Sequence, residues 1–582
     1  MKLKSIRIHN FRGILDQEIT FKDYSLLVGP NNSGKSTVID AIRAFYEKDG
    51  FKFSEQRDFP FGITNDDESW VDLTFTLSSE EYDSLADIYK GQSQELKVRK
   101  YFKTGKEITR GKSVVGSIFG YKSNGELNDE PFYGAKNVQS GKFGDLVYIP
   151  AISKVDEYTK LSGPSALRDL MNDILGDVVQ DGKAYTDFSN AVETFSGVVR
   201  NEQTNDGRSL ADFEEELNQL LLPWQAKFEL HFKPPSASDL IKSLLSWELV
   251  DQIYGKPQAI ELCGSGFQRH FIYSLIQIAS KYTRKKPIKK DKDFMPTLVL
   301  VLFEEPEAFL HPPQQESLAK NLQALSANGW QVICATHSAH FVSRNTANIP
   351  SIIRLRRENG KVEKFWISDI DWHTLVDFNQ QINKIANEYP KLASKLKEDD
   401  LKPEMESIKY FIWLNPDRAS MFFADHVLLV EGMTEVALIT RLIADSKICN
   451  VPSGLYIVDC IGKYNIHRFI NLLKHLGIHH SVIYDGDEDK EEHHQEINKL
   501  IENSRDNNLT IAIKCVPQDL DKMLGLPPNI SDHRKPQNML YLYETNQINE
   551  EKLLKFCEIV GECFPKLASK PNNDQTNTEQ IR

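Results

Sequence analysis

The sequence predicts a multidomain α/β protein in which two parallel-sheet regions follow one another along one chain. Three observations carry that expectation. Residues 25–47, SLLVGPNNSGKSTVIDAIRAFYE, read as a buried strand, a glycine-bearing loop and an amphipathic helix. Residues 297–307, TLVLVLFEEPE, form a continuous apolar run ending in acids, the pattern of a central parallel strand covered on both faces. Residues 426–487 alternate strand and helix and leave carboxylates at strand ends. The 582 residues exceed what one hydrophobic core usually supports, so two or more domains are expected.

The bulk numbers exclude several classes. Apolar content of 40% and charged content of 26% fit a folded chain rather than a disordered one. Seven scattered cysteines without a C-x-x-C pair argue for reduced thiols, against a disulfide framework or a zinc module. No segment approaches the roughly 18 consecutive apolar residues of a membrane span. The opening MKLKSIRIHN alternates like a strand rather than a signal peptide, so a cytoplasmic protein without membrane contact is expected. The formal charge of −13 is the opposite of a DNA-coating protein. Nucleic-acid contact would have to come from local basic strips at 97–106 and 281–292, or from carboxylates masked by metal ions.

Taken in order, LKSIRIHNF, QEITF, WVDLTFTL, LKVRKYF and DLVYIP read as strands of an N-terminal lobe. GPSALRDLMNDILGDVV and SLADFEEELNQLLLPWQ carry helical spacing and mark an insertion at about 160–225; KFELHF returns to strand. Beyond the acid-ended strand, QQESLAKNLQALSANG is a helix closed by glycine and WQVICATHS a second buried strand. We expect an ATPase domain over 1–370, a helical linker over 371–420, a second domain over 421–560 and a polar tail over 561–582.

The loop Gly29-Pro-Asn-Asn-Ser-Gly34-Lys35-Ser36 fits G-x-x-x-x-G-K-[ST] at every fixed position. Backbone N–H groups and a helix N-terminus face an ATP phosphate there, Lys35 reaches the outer phosphates and Ser36 touches Mg²⁺; Asn32 and Thr37 complete the set. Glu304 and Glu305 stand where a magnesium shell and an attacking water need carboxylates. His337, one αβ unit later, is placed to sense the γ-phosphate. The loop GSGFQR resembles the signature of ABC-type ATPases, with Ser265, Gly266 and Gln268 on its pattern. That resemblance implies a head-to-head dimer sandwiching two nucleotides. Glu304 stands where most such proteins carry Asp, and Phe267 replaces a glycine; both departures bear on hydrolysis rather than on binding.

The second region supplies a different chemistry. Glu431 ends a buried strand, Glu435 lies one turn into the next helix, and Asp485 and Asp487 end another strand. Two positions apart, they would share one side of an extended backbone. Such carboxylates repel one another without a hard cation such as Mg²⁺ or Mn²⁺. The arrangement resembles the Toprim fold. Asp519 or Asp521 could join Glu435 around a second ion about 4 Å from the first, with Lys535 stabilising the charge developing on a phosphodiester. Gly462-Lys463 after a strand could position a phosphate, although a structural role is the plainer reading. Adjacent His479-His480 and His493-His494 are expected to face solvent rather than to ligate.

An ABC-type head with EEPEAFLHP and ATHS, joined to a module opening LLVEGMTE, resembles the OLD (overcoming lysogenization defect) family of ATP-dependent endonucleases over about 1–370 and 420–560. The resemblance implies an ABC-type head with a helical insertion followed by a Toprim domain with a small parallel sheet. It implies ATP-gated cutting or nicking of DNA with divalent metal, a homodimer or tetramer, and service in anti-phage defence, as in Gabija-type systems and some retrons. A helicase, or a reverse transcriptase with its non-coding RNA, encoded nearby would be a partner. Relatives commonly carry Glu where this chain has Asp521. The alternative is a repair or chromosome-maintenance ATPase that clamps DNA around a non-cleaving Toprim scaffold; the lack of long heptad arms weighs against it.

Overall fold

The computed structural model describes residues 1–151 (except 48–49, 92, 107–113 and 134–141), 179, 182–230, a discontinuous set of positions from 234 to 278, and 294–565 (except 295, 297, 328, 343–345, 394–401 and 528–529). The fold is mixed α/β, as expected. Two compact units emerge: Met1–Arg12, Glu18–Tyr24 and Val38–Cys334 form the first, and Gly13–Gln17, Ser25–Thr37 and Ala335–Arg582 the second.

β1 (Lys2–Phe11), β2 (Ile14–Thr20) and β3 (Tyr24–Val28) precede the glycine loop, and α1 (Lys35–Tyr46) follows it. β4 (Ser69–Thr76), β5 (Glu95–Lys103), β6 (Ile118–Tyr121) and β7 (Leu127–Pro131) join β1 in an antiparallel order β1-β4-β5-β6-β7. Alternation builds β5: Leu96 and Val98 point into the core, and their neighbours pair outward. The basic strip on that strand is spent on acids. Lys97 and Arg99 pair with Asp72, Lys100 with Glu47, Lys103 with Asp67 and Glu55, and Lys106 with Glu68. It offers no free positive surface; the strip at 281–292 lies outside the described residues.

β8 (Asp145–Ile149) leads towards the insertion, whose described helices are α2 (Lys183–Asn201) and α3 (Leu210–Leu221), the latter opened by a Ser209/Asp212 capping box. Residues 163–178, also expected to be helical, lie outside the described residues. The expected strand KFELHF is not one over its described residues 227–230, because no neighbour pairs with it. β9 (Val299–Glu304) runs parallel to β8, with α4 (Pro312–Ala327) and β10 (Gln331–Ala335) after it.

In the second unit β11 (Ile352–Glu358) runs parallel to β3, with Arg354 opposite Val28, and antiparallel to β12 (Lys361–Trp366). Asn359 and Gly360, at φ 50° and 81°, make the primed turn that suits a two-residue hairpin. This hairpin carries the glycine loop. A Cβ at Gly29 would stand 2.2 Å from the Leu355 carbonyl oxygen, and one at Gly34 3.0 Å from the Val362 methyls. Both glycines have positive φ, so approach and conformation together demand that residue.

α5 (Asp369–Asn379) and α6 (Pro403–Trp413) lie within the segment expected to connect domains, and both face the later helix Ile466–His475. The buried Glu406 carboxylate accepts from Arg468 at 2.9 Å, and Tyr410 donates to the Arg468 carbonyl. There follow β13 (His426–Val430), α7 (Met433–Ala444), β14 (Leu455–Asp459), α8 (Ile466–His475), β15 (His479–Asp485), α9 (His493–Asn503), β16 (Thr510–Val516), α10 (Leu520–Leu524) and α11 (Lys535–Glu544). Four parallel strands in the order β14-β13-β15-β16 form the small sheet that the sequence predicts. Under it Leu428, Val430, Leu438, Leu442, Ile483 and Met539 are buried, each stabilising the fold by about 1.5–3 kcal/mol through removal of apolar surface from water.

The β11–β12 hairpin also meets this second fold. Arg354, 1% exposed, donates to the carbonyls of Phe422, Ala424, Leu476 and Gly477 at 2.8–3.3 Å. Gly477 has φ 61°, and a Cβ there would sit 2.3 Å from the Phe365 ring of β12. Gly525 has φ 86° and open space. Gly477→Ala should therefore lower the melting temperature well beyond Gly525→Ala, which meets only the backbone cost of about 1–2 kcal/mol. Equal shifts in a calorimetric scan would contradict this packing.

Candidate active site

The glycine loop is built as a cradle. Asn32 holds a left-handed φ of 62°, Ser33 is buried, and the Lys35 ammonium donates to the carbonyls of Gly29 and Pro30 at 2.8 Å. Ser36 is exposed and Thr37 half-buried at the start of α1, whose free N–H groups suit an anion. His337, just past β10, is exposed in the same unit as the loop.

The remaining head residues belong to the first unit. Glu304 ends β9 and accepts from the Tyr148 hydroxyl at 3.0 Å; burial first, and this carboxylate second, hold that phenol far above its ordinary pKa. Glu305 is exposed at φ 44°, a conformation costly for a non-glycine residue and frequent at working sites. Gly266 opens a helical turn where a Cβ would lie 3.0 Å from the Phe309 carbonyl oxygen of the loop after Glu305. Gln268 is buried and donates to the Cys263 carbonyl at 2.9 Å. Ser265 lies outside the described residues.

At the small sheet, strand ends gather the acids. Glu431 follows β13, and its carboxylate accepts the Asp485 N–H at 2.7 Å. Asp485 ends β15 and accepts the Leu520 N–H at 3.0 Å. Glu435, buried in the first turn of α7, accepts the Gly432 N–H at 3.1 Å. Without a counter-ion these groups resist ionisation. Burial, then the neighbouring Asp485, push Glu435 up to about 7. Glu431 and Asp485 are raised as well, by burial first and then by Glu435 and Glu431 respectively. Asp521 adds to the upward push on Glu435 and pairs with Lys535 at 2.9 Å. Asp519 caps α10 through the Lys522 N–H.

Asp487 behaves differently from its neighbours. It is not the alternate residue of one extended strand: β15 stops at Asp485, and Asp487 has φ 52°. A Cβ at the intervening Gly486 would meet Cys515 Sγ at 3.0 Å and the Val516 carbonyl oxygen at 3.1 Å, so the chain turns there against β16. The turn delivers Asp487, 2% exposed, to the Lys463 ammonium at 2.9 Å and to Lys490 at 2.6 Å. Burial opposes its ionisation, yet these lysines outweigh it and hold the carboxyl below its usual range.

Lys463 is the residue that sequence reasoning undervalued. It is 3% exposed and also donates to the Asp485 carbonyl at 2.5 Å, so it ties the two ends of the Asp-Gly-Asp turn. Its signal was the Gly-Lys pair directly after a strand. The histidine expectation is corrected in part. His480 is buried between the Ile478 carbonyl and the Thr510 hydroxyl, both at 2.8 Å, and His493 is buried beside Tyr464. His494 Nδ1 stands 3.1 Å from Asp487.

Among the described residues no three His, Cys, Asp or Glu side chains are already gathered around one point. The reason is visible in their partners: backbone N–H groups and lysines hold the oxygens that would turn inward. The donor set nevertheless fits a hard divalent ion, being all carboxylate, half-buried or buried, and short of positive charge.

Residues 1–130 and 180–342 match the AAA ATPase domain model, together half of the chain, and 422–487 match the Overcoming lysogenization defect protein-like TOPRIM domain. The Old nuclease of Escherichia phage P2 is 24% identical over 530 residues, 89% of this chain and 82% of that protein. Endonuclease GajA of Bacillus cereus (strain VD045) is 22% identical over 584 residues, covering 97% and 86%. Among the described residues no helix is long and apolar enough to cross a membrane.

The raised acids give a sign to the pH dependence. A carboxyl whose folded pKa exceeds its unfolded value stabilises below the unfolded pKa, near 4.5, and loses that contribution as pH rises through about 7. Glu435→Gln keeps the acceptor for Gly432 N–H but not the charge. Relative to wild type, the metal-free variant should therefore gain about 2 kcal/mol between pH 5 and pH 8. Added Mn²⁺ should raise the melting temperature of wild type more at pH 8 than at pH 6, and that of the variant less. Wild type and variant tracking each other across pH would contradict the electrostatics described.

Proposed function

The chain belongs to the OLD family, an AAA ATPase domain joined to an OLD-like Toprim domain, and on that premise we propose that it is a metal-dependent DNA endonuclease or nickase gated by ATP. The observation that carries the reading is the charge-starved group of half-buried Glu431 and Asp485 and buried Glu435 at one edge of a parallel sheet. Bound Mg²⁺ or Mn²⁺ would activate a water and offset charge on the scissile phosphate. Glu431, Asp485 and Asp487 would hold one ion, Glu435 and Asp521 the second. Lys463 keeps Asp487 ionised and aimed, and Lys535, released from Asp521, would face the charge developing on the leaving oxygen.

At the head, the Gly29–Ser36 loop would take the ATP phosphates, with Glu304, Glu305 and His337 around the terminal one and the signature residues Ser265, Gly266 and Gln268 serving a partner subunit's nucleotide. Gating has a material route within the second unit: the hairpin that supports Gly29 and Gly34 is the one whose Arg354 grips four carbonyls of the nuclease fold. Assembly as a homodimer or tetramer, work as an anti-phage effector and reliance on a partner encoded nearby belong to the same proposal. The likeness to the Old nuclease and to endonuclease GajA supports the nuclease part of that proposal.

Plasmid cleavage tests this directly. With Mg²⁺ or Mn²⁺, Asp485→Ala should leave plasmid intact while wild type cuts. Lys35→Ala should keep metal-dependent cutting but lose its response to ATP. Full cleavage by Asp485→Ala would sink the nuclease reading, and an unchanged ATP response in Lys35→Ala would sink the gating.

A further inference from the structure

An acidic protein that cuts a polyanion must draw DNA to its most negative edge, and the strand that looked basic in sequence is neutralised by its own acids. The site itself holds another source of positive charge. Lys490, 43% exposed, follows β15 and pairs with Asp487 Oδ1 at 2.6 Å. Lys522, 50% exposed, lies on α10 after the adjacent β16 and pairs with Asp489 at 2.6 Å and Asp519 at 3.1 Å. Resting on the metal-nuclease reading above, we infer that Lys490 and Lys522 grip the phosphodiester backbone beside the cleavage point, and that divalent metal frees Lys490 for this by taking over Asp487, while Lys522 reaches the backbone from the neighbouring helix.

The strengths of the contacts separate these two lysines from the others. Lys463 is 3% exposed and bound to a carbonyl as well as to Asp487, so it stays in place and positions. The Lys522–Asp489 pair, half exposed on both sides, is screened by solvent and worth little, and Lys490 keeps its side chain 43% exposed although its partner Asp487 is buried. A divalent ion outcompetes an ammonium for a shared carboxylate, and a phosphate oxygen is then an equal or better partner for the released lysine. Charge bookkeeping gives the same direction. With every carboxylate ionised, the four lysines 463, 490, 522 and 535 set against carboxylates 431, 435, 485, 487, 489, 519 and 521 leave three negative charges, which repel DNA. One divalent ion reduces them to one, and a second makes the edge attractive. DNA affinity therefore rises with metal loading, and the rise passes through these side chains.

The test measures binding rather than cutting. Full-length wild type, Lys490→Gln, Lys522→Gln and the double variant are titrated into a short labelled DNA duplex by fluorescence anisotropy. Each is run in EDTA and in Ca²⁺ or Mg²⁺ at matched ionic strength, and metal-dependent plasmid cleavage is followed alongside. Wild type should bind about tenfold or more tightly with metal. The double variant should lose most of that gain, and its dependence of log K on log salt should flatten by about one per lysine removed. Lys490→Arg, which keeps the charge, should retain the gain. Variants that keep the full gain and slope overturn the inference, as does wild type that binds equally in EDTA while still cutting only with metal; in that second case the nuclease reading stands. A lysine-dependent gain without cleavage in any metal would uphold the backbone grip and remove the nuclease reading.

Discussion

Carboxylates crowded at the C-terminal edge of a four-stranded parallel sheet are the constraint that the second unit is organised around. A buried carboxylate without a partner costs several kcal/mol, so the fold must protonate it, pair it or supply a cation. Here all three devices coexist within one edge. Glu431, Glu435 and Asp485 lean on backbone N–H groups and hold protons tightly; Asp487 takes two lysines; Asp521 takes Lys535. A site meant only for stability would carry apolar residues in these places. Keeping the acids is the mark of a position reserved for hard cations.

The backbone around that edge serves the same end. Gly486 lets the chain turn against β16, Gly462 at φ 97° lets Lys463 enter below the turn, and Asn498 holds the Gly486 carbonyl at 2.8 Å. At the other end of the unit the β11–β12 hairpin is shared between the glycine loop and the small-sheet fold. Among the described residues Arg354 makes no ion pair, and Asp425 offsets its burial only in part. Burial, and then Arg356, lower its pKa to about 9, and four carbonyl oxygens compensate. Such a contact is stiff, which is what the proposed gating requires.

Much of this was legible in sequence where one residue pattern has one physical solution. The glycine loop, the apolar strand ending at Glu304, and the run from His426 to Asp487 fixed the elements and brought Glu431, Glu435, Asp485 and Asp521 to one edge. What was missed depends on long-range partners. Nothing local says that the basic side chains from Lys97 to Lys106 are met by acids on other segments, nor that the described residues 227–230 form no strand. Adjacent side chains on a strand point apart, which suggests a solvent-facing histidine in the His479-His480 pair, but on a strand covered on both faces either direction is inward, and His480 is buried. The hairpin could have been read from Asn359-Gly360 between alternating strands. The role of Lys463 could not, since a buried lysine is recognised only once its carboxylate is in view.

The central claim is that these strand-end acids are a cation site. Diffraction from crystals soaked in Mn²⁺, collected at the manganese edge, addresses it without reference to activity. The account predicts anomalous peaks at metal–oxygen bonding distance, about 2.0–2.3 Å, from the carboxylates of Glu431 and Asp485. A fully soaked crystal with no peak at this edge, and Glu431 still turned to the Asp485 N–H, would contradict it.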